Sequence, residues 1–180
     1  MAAIFLLGAA GIVATAGAQD APMVGGAAMY PEKTITENAS QASNLTTLIT
    51  AVKAAGLGET LSGKGPFTVF APTNSAFEKL PAGTVDILLK PESKDQLTGV
   101  LTYHVVPGTM TAEDLIAKVK ESGGTYDMTT VAGGTISAKI DGDKVVITDA
   151  SGGTATVETA DVLQSNGVVH VIDSVLLPKT

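Results

Sequence analysis

The sequence predicts an α+β fold. Helical spacing and helix-end signals dominate the first half of the 180 residues, while short Val-, Ile- and Thr-rich runs between Gly-bearing turns dominate the second. No repeat period appears. Helices grouped ahead of strands favour α+β over an alternating α/β arrangement.

In chain order, Leu45, Leu48, Ile49 and Val52 fall at i, i+3, i+4 and i+7, which is one helix face. Ser43 or Asn44 can cap its start, and Gly56 can end it in a left-handed conformation. A strand follows from Pro66 to Ala71, stopped by Pro72. Thr73 caps a short helix that ends by Leu80, ahead of Pro81. Ser93-Lys94-Asp95-Gln96 reads as a capping box for a helix burying Leu97, Val100 and Leu101. Tyr103 to Val106 then runs into a Pro107-Gly108 turn. Thr111 opens another helix, with Glu113 and Asp114 in its first turn and Lys118 and Lys120 in its last, an order that complements the macrodipole. Gly123-Gly124 ends it. The β half comprises Tyr126–Val131, Thr135–Ile140, Lys144–Thr148, Thr154–Thr159 and Val168–Leu177. The last run is apolar on both faces and reads as a central strand.

Composition narrows the function. There are 18 acidic and 11 basic residues, all of the latter Lys, for a net charge of -7. That balance argues against a nucleic-acid partner, which needs a cationic face to displace counterions. With no Cys, disulfides, thiol catalysis and cysteine zinc sites are excluded. Residues 1–18 read as a signal peptide: an apolar run from Ile4 to Thr15, then Ala16-Gly17-Ala18 as a small-x-small cleavage site, although no Lys or Arg precedes the run. The run is too short to span a bilayer, so no membrane insertion of the mature chain is expected. Residues 19–33 read as a flexible leader and 34–180 as one domain. Asn38-Ala39-Ser40 and Asn44-Leu45-Thr46 are glycosylation sequons.

Two blocks carry a specific likeness. Gly65-Pro66-Phe67-Thr68-Val69-Phe70-Ala71-Pro72-Thr73-Asn74-Ser75-Ala76-Phe77 resembles the first signature block of the fasciclin domain family. Asn166-Gly167-Val168-Val169-His170-Val171-Ile172-Asp173-Ser174-Val175-Leu176-Leu177-Pro178 resembles the second. Tyr103-His104-Val105-Val106-Pro107-Gly108 is similar to the tyrosine–histidine segment between them, and order and spacing agree. The resemblance implies a β-wedge or sandwich with several short helices packed at one side. It further implies a secreted or periplasmic protein that works in cell adhesion, in extracellular-matrix or cell-surface contact, or in the bacterial envelope, as a binding module without cofactor or catalysis. The tyrosine–histidine segment is assigned to receptor contact in some animal members, so Tyr103, His104, Val105 and Val106 are the partner-binding candidates for a protein or cell-surface component.

Other chemistries are weighed on the residues themselves. His104 and His170 are the only histidines. A hydrolase would pair one with Ser75 or Ser174 and an acid such as Asp173; a metal enzyme would use both with Asp173. On a straight strand His170 and Asp173 point to opposite faces, so they cannot share a site without a bulge. His170 shares a face with Val168 and Ile172, which suits a buried ring bonded to backbone. There is no G-x-S-x-G elbow and no H-E-x-x-H. Asp141-Gly142-Asp143 reads as a hairpin turn, because it lacks calcium-loop spacing. A small-ligand carrier would need an enclosed apolar pocket of about 300 Å³ or more.

Overall fold

The computed structural model describes residues 21–63 and 65–179; the expected signal peptide lies outside them. Among the described residues the strands are β1 (Met23–Val24), β2 (Ala27–Ala28), β3 (Phe67–Pro72), β4 (Val105–Pro107), β5 (Thr125–Thr129), β6 (Thr135–Asp141), β7 (Lys144–Thr148), β8 (Thr154–Gln164) and β9 (Gly167–Ile172). The helices are α1 (Ile35–Ala39), α2 (Thr46–Ala55), α3 (Gly58–Leu61), α4 (Asn74–Glu78), α5 (Thr84–Leu88), α6 (Lys94–Tyr103) and α7 (Ala112–Glu121).

Seven strands form one mixed sheet in the order β4-β3-β9-β8-β7-β6-β5. β9 lies inside it, parallel to β3 and antiparallel to β8. This is the central strand that its two-sided apolar pattern predicts. Side chains alternate across β3 and β9. Val69, Ala71, Val169 and Val171 face a core shared with α1, α2, α4 and α6. Phe70 and Ile172 face a second core shared with α7 and β5 to β7. The long β8 joins β7 to β9, and its register shifts between Val157 and Thr159 and again between Thr159 and Val162. Bulges of this kind bend a sheet and let one strand serve two directions. The tight hairpin expected at Asp141-Gly142-Asp143 is present: Asp141 pairs with Lys144, and Gly142 opens the two-residue loop at φ +63.

Helix ends follow local chemistry where the backbone permits. Gly56 terminates α2 at φ +72. The Thr73 hydroxyl accepts from Ala76 N–H. Thr111 and Asp114 form a reciprocal capping box at α7. The capping box expected at Ser93 is absent. A 3₁₀ turn over Pro91–Ser93 runs straight into α6, leaving Ser93 at φ -101, ψ 14 with no cap bond. An N-cap side chain reaches its amide only from an extended backbone. Neither Ser43 nor Asn44 caps α2. A remote residue does so: Asn74 Oδ1 accepts from Thr47 N–H at 3.0 Å, and its Nδ2 donates to Ser43 O at 3.1 Å. Asn74→Ala is therefore expected to cost about 1–2 kcal/mol, the worth of a good cap, read as a lower urea midpoint at unchanged slope.

The flexible leader needs correction over its described part. Gly25 and Gly26 turn the chain at φ +58 and +81, β1 pairs with β2, and Val24 and Met29 are buried in the helical core. Val24, just before this turn, and Met29, just after β2, supply enough apolar burial to hold the segment down. The packed structure begins before Thr34.

Candidate functional site

Tyr103, His104, Val105 and Val106 lie where α6 runs into β4, and all four are interior: 0%, 2%, 5% and 4% exposed. This corrects the expectation that they offer a contact face. Tyr103 closes α6 toward the second core. Its hydroxyl donates to Thr135 O at 2.7 Å and accepts from Ala150 N–H at 2.9 Å. Gly134 lies against the ring, where a Cβ would come within 2.5 Å of Cε2. Tyr103→Phe keeps the packing but orphans a carbonyl and an amide. It is expected to cost about 1–3 kcal/mol with the fold retained, measured by denaturant titration.

His104 sits at the last turn of α6. Leu176 N–H donates to Nε2 at 2.9 Å, so Nε2 carries the lone pair and Nδ1–H donates to Val100 O at 2.7 Å. His170 has the opposite tautomer. Nε2–H donates to Met110 O at 2.7 Å, and Nδ1 accepts from Asp161 N–H at 3.4 Å. Its ring stacks on Phe70, its register partner on β3, with centroids 5.6 Å apart. Burial holds both rings neutral. Desolvation lowers His104 from 6.5 to about 4 against the opposing pull of the Val100 carbonyl. It also lowers His170, against Met110 O and the Asp161 charge.

This geometry decides between chemistries. All four ring nitrogens have backbone partners, so neither imidazole has a free nitrogen for a proton transfer or a metal. The rings also face different sides of the sheet. His170 shares its face with Phe70, whereas His104 lines the helical side with Val69 and Val169. Ser174 and Asp173 bond each other and Lys79, not a histidine. Ser75 is exposed on α4. Among the described residues no three His, Asp or Glu side chains gather as a metal site.

Several positioning residues escape sequence reasoning. Asp149 is buried in the β7–β8 turn, where it accepts from Ser151 N–H, Gly153 N–H and, across the fold, Leu177 N–H. Thr68 is fully buried and bridges Gly108 O and Met110 N–H. The sequence marks Asp149 as a turn residue, but its tie to Leu177 leaves no local signal. Of the two sequons, Asn38 is closed: it is 1% exposed, and its amide donates to Tyr30 O and Gln164 Oε1.

Space is distributed unevenly. The apolar cavity between the sheet and α1 and α2 holds about 20 Å³ and another beside α6 about 10 Å³. Each suits one water at most, far below what a carried ligand needs. An open cleft of about 630 Å³ lies at the end of the sheet where β8 turns into β9. Pro31, Pro66, Thr109, Leu163, Ser165 and Val168 line it, and Leu163 is half exposed. Its buried amides are committed to the fold: Asn166 accepts from Ile35 N–H and donates to Leu61 O, and Gln164 accepts from Asn38.

Sequence and fold comparisons agree on the class. The family model for the fasciclin domain matches residues 43–178. The chain belongs to the fasciclin domain family. It is 49% identical over 156 residues to Protein sll1483 of Synechocystis sp., covering 87% of this chain and 79% of that protein. It is 36% identical over 150 residues to transforming growth factor-beta-induced protein ig-h3 of Sus scrofa, covering 81% of this chain but 20% of the larger protein. In fold it matches a FAS1 domain pair from the insect cell adhesion molecule fasciclin I, with a TM-score of 0.72 and 22% identity, over 82% of this chain and 51% of that one. Among the described residues no helix is long and apolar enough to cross a membrane.

Proposed function

We propose that this chain is an exported interaction module. It holds a protein or other cell-surface, matrix or envelope component by burying complementary surface, in the manner of adhesion, without covalent chemistry. The observation that carries the reading is the saturation of both imidazoles by backbone groups, which makes the chain's only histidines part of the scaffold. The apolar run and small-x-small site of residues 1–18 support export to the periplasm or beyond. The likeness to domains of the insect adhesion molecule supports contact as the task. With Tyr103 to Val106 interior, the surface this module offers is the open cleft and its rim, where Leu163 is half exposed.

The test is adhesion of the chain lacking residues 1–18 to the outer surface of the cells it comes from, with purified protein on beads. Leu163→Asp is expected to reduce capture by roughly tenfold or more, as for a central interface anchor. Ile87→Asp, at an equally exposed apolar residue on α5, is expected to leave it unchanged. Equal capture by wild type and Leu163→Asp would remove the cleft from the interface.

A further inference from the structure

Asp161 is the one non-glycine residue with positive φ among the described residues, at +56. It occupies the bulge of β8 opposite His170: Thr159 pairs with Val171 and Val162 with Val169, leaving Ala160 and Asp161 to face the one residue between them. A left-handed aspartate is uncommon and persists only where its surroundings hold it. Two tethers do so. Its N–H donates to His170 Nδ1 at 3.4 Å, and its Oδ1 accepts from Ala112 N–H, the first amide of α7, at 2.6 Å. His170 in turn holds Met110 O, two residues before that helix. One imidazole thus links the central strand, the bulge and the start of α7.

We propose that this linkage is an acid-sensitive latch: protonation of His170 loosens the Asp161 bulge and the first turn of α7 while the rest of the sheet stays folded. A proton on Nδ1 turns an acceptor into a donor that points at another donor, the Asp161 N–H. That tether is lost, and the Asp161 carboxylate is the charged group that faces the ring from β8. Turning to the new N–H, it releases Ala112 N–H. The other elements around the ring bring no charge to it: β3 presents Phe70, and the loop before α7 presents the Met110 carbonyl. In α7 itself, the nearby carboxylate of Asp114 is engaged by Thr111 N–H and hydroxyl. His104 is placed differently. Its partners are two backbone groups in the core, and Asp149, the carboxylate that acts on it, already holds Leu177 N–H, so charging it requires the carboxy-terminal segment to leave. The latch goes beyond the adhesive reading and does not depend on it: it would give one exported surface two forms, set by pH.

Residue-resolved amide exchange from pH 7 to pH 4.5, expressed as protection factors, tests this. The Asp161, Ala112 and Leu115 amides are expected to lose roughly tenfold more protection than those of Ala138 and Ile147, about the effect of one pKa unit. The midpoint should match the titration of the His170 ring protons. Uniform loss across the sheet, or a titrating ring with those three amides unmoved, would overturn the proposal. Because replacing His170 risks the fold, the second variant is Asp161→Asn. It keeps the amide and the acceptor oxygen but removes the charge, and is expected to move the local transition to lower pH. An unshifted transition would also overturn it.

Discussion

Gly167→Ala is expected to destabilise the chain by about 4 kcal/mol or more, at the extreme of what single substitutions do. Gly167 begins β9 and is the parallel partner of Phe67 at the start of β3. A Cβ there would run into the Phe67 backbone, with its N at 2.9 Å and C at 2.8 Å. A side chain could swing aside, but a neighbouring strand can yield only by parting the β3–β9 pair. That pair underlies both cores, because each faces one side of it. Thermal melting should fall by roughly 10 °C for a domain of this size. Gly99→Ala is the opposite case. It lies within α6 and a Cβ meets nothing within 4 Å, so a gain of about 0.5–1 kcal/mol is expected from helix propensity. A Gly167→Ala variant as stable as wild type would mean that β3 and β9 do not pair in this register.

The second large effect concerns His104 and pH. The ring is neutral in the folded chain down to about pH 4, whereas in the unfolded chain it takes up a proton near 6.5. Its contribution to stability is thus complete above pH 6.5 and is lost as pH falls toward 4, because only the unfolded state gains the proton. At about 1.4 kcal/mol per pKa unit, the loss across that window is about 3 kcal/mol. His170, lowered by burial as well, adds in the same direction. Carboxylates act lower on the scale. Glu37 and Asp114 are held below the usual range by the hydrogen bonds from Thr34 and Thr111, so they stabilise above about pH 4 and lose that effect on further acidification. Loss of stability between pH 6.5 and 4.5 is therefore the histidines' signature. His104→Leu should be about 3 kcal/mol less stable at pH 7, with Val100 O and Leu176 N–H left unpaired, yet show a shallower decline over that window. Urea midpoints at pH 7 and pH 4.5 read both effects. A decline as steep as wild type would place the titrating group elsewhere.

How much of this was legible in the sequence depends on the range of the interaction. Gly56, Thr73 and Thr111 act on residues within a turn of themselves, and each performs the expected role. The strand from Val168 reads as central because burial on both faces leaves no polar alternation, and it lies between β3 and β8. The short helices α1, α3 and α5 span four or five residues, too few to establish a 3.6-residue period. Asn74 capping α2, Asp149 binding Leu177 N–H and Asp161 binding Ala112 N–H are contacts between distant segments, with no local pattern to announce them. The interior fate of His170 follows from its place on an apolar strand face. That of Tyr103 to Val106 does not: the segment's likeness to a contact motif pointed outward, whereas the structure uses its aromatic and imidazole groups to tie α6 and β4 to backbone amides and carbonyls.

Nitrogen-15 NMR of the two imidazoles, followed from pH 7.5 to pH 5, measures most directly whether the histidines belong to the scaffold. The expected spectrum has two neutral rings of opposite tautomer, His104 protonated at Nδ1 and His170 at Nε2, with His104 silent throughout the range. Two rings titrating together near pH 6.5, each averaging its tautomers as a solvent-exposed imidazole does, would place them at the surface and return both to the list of candidate catalytic groups.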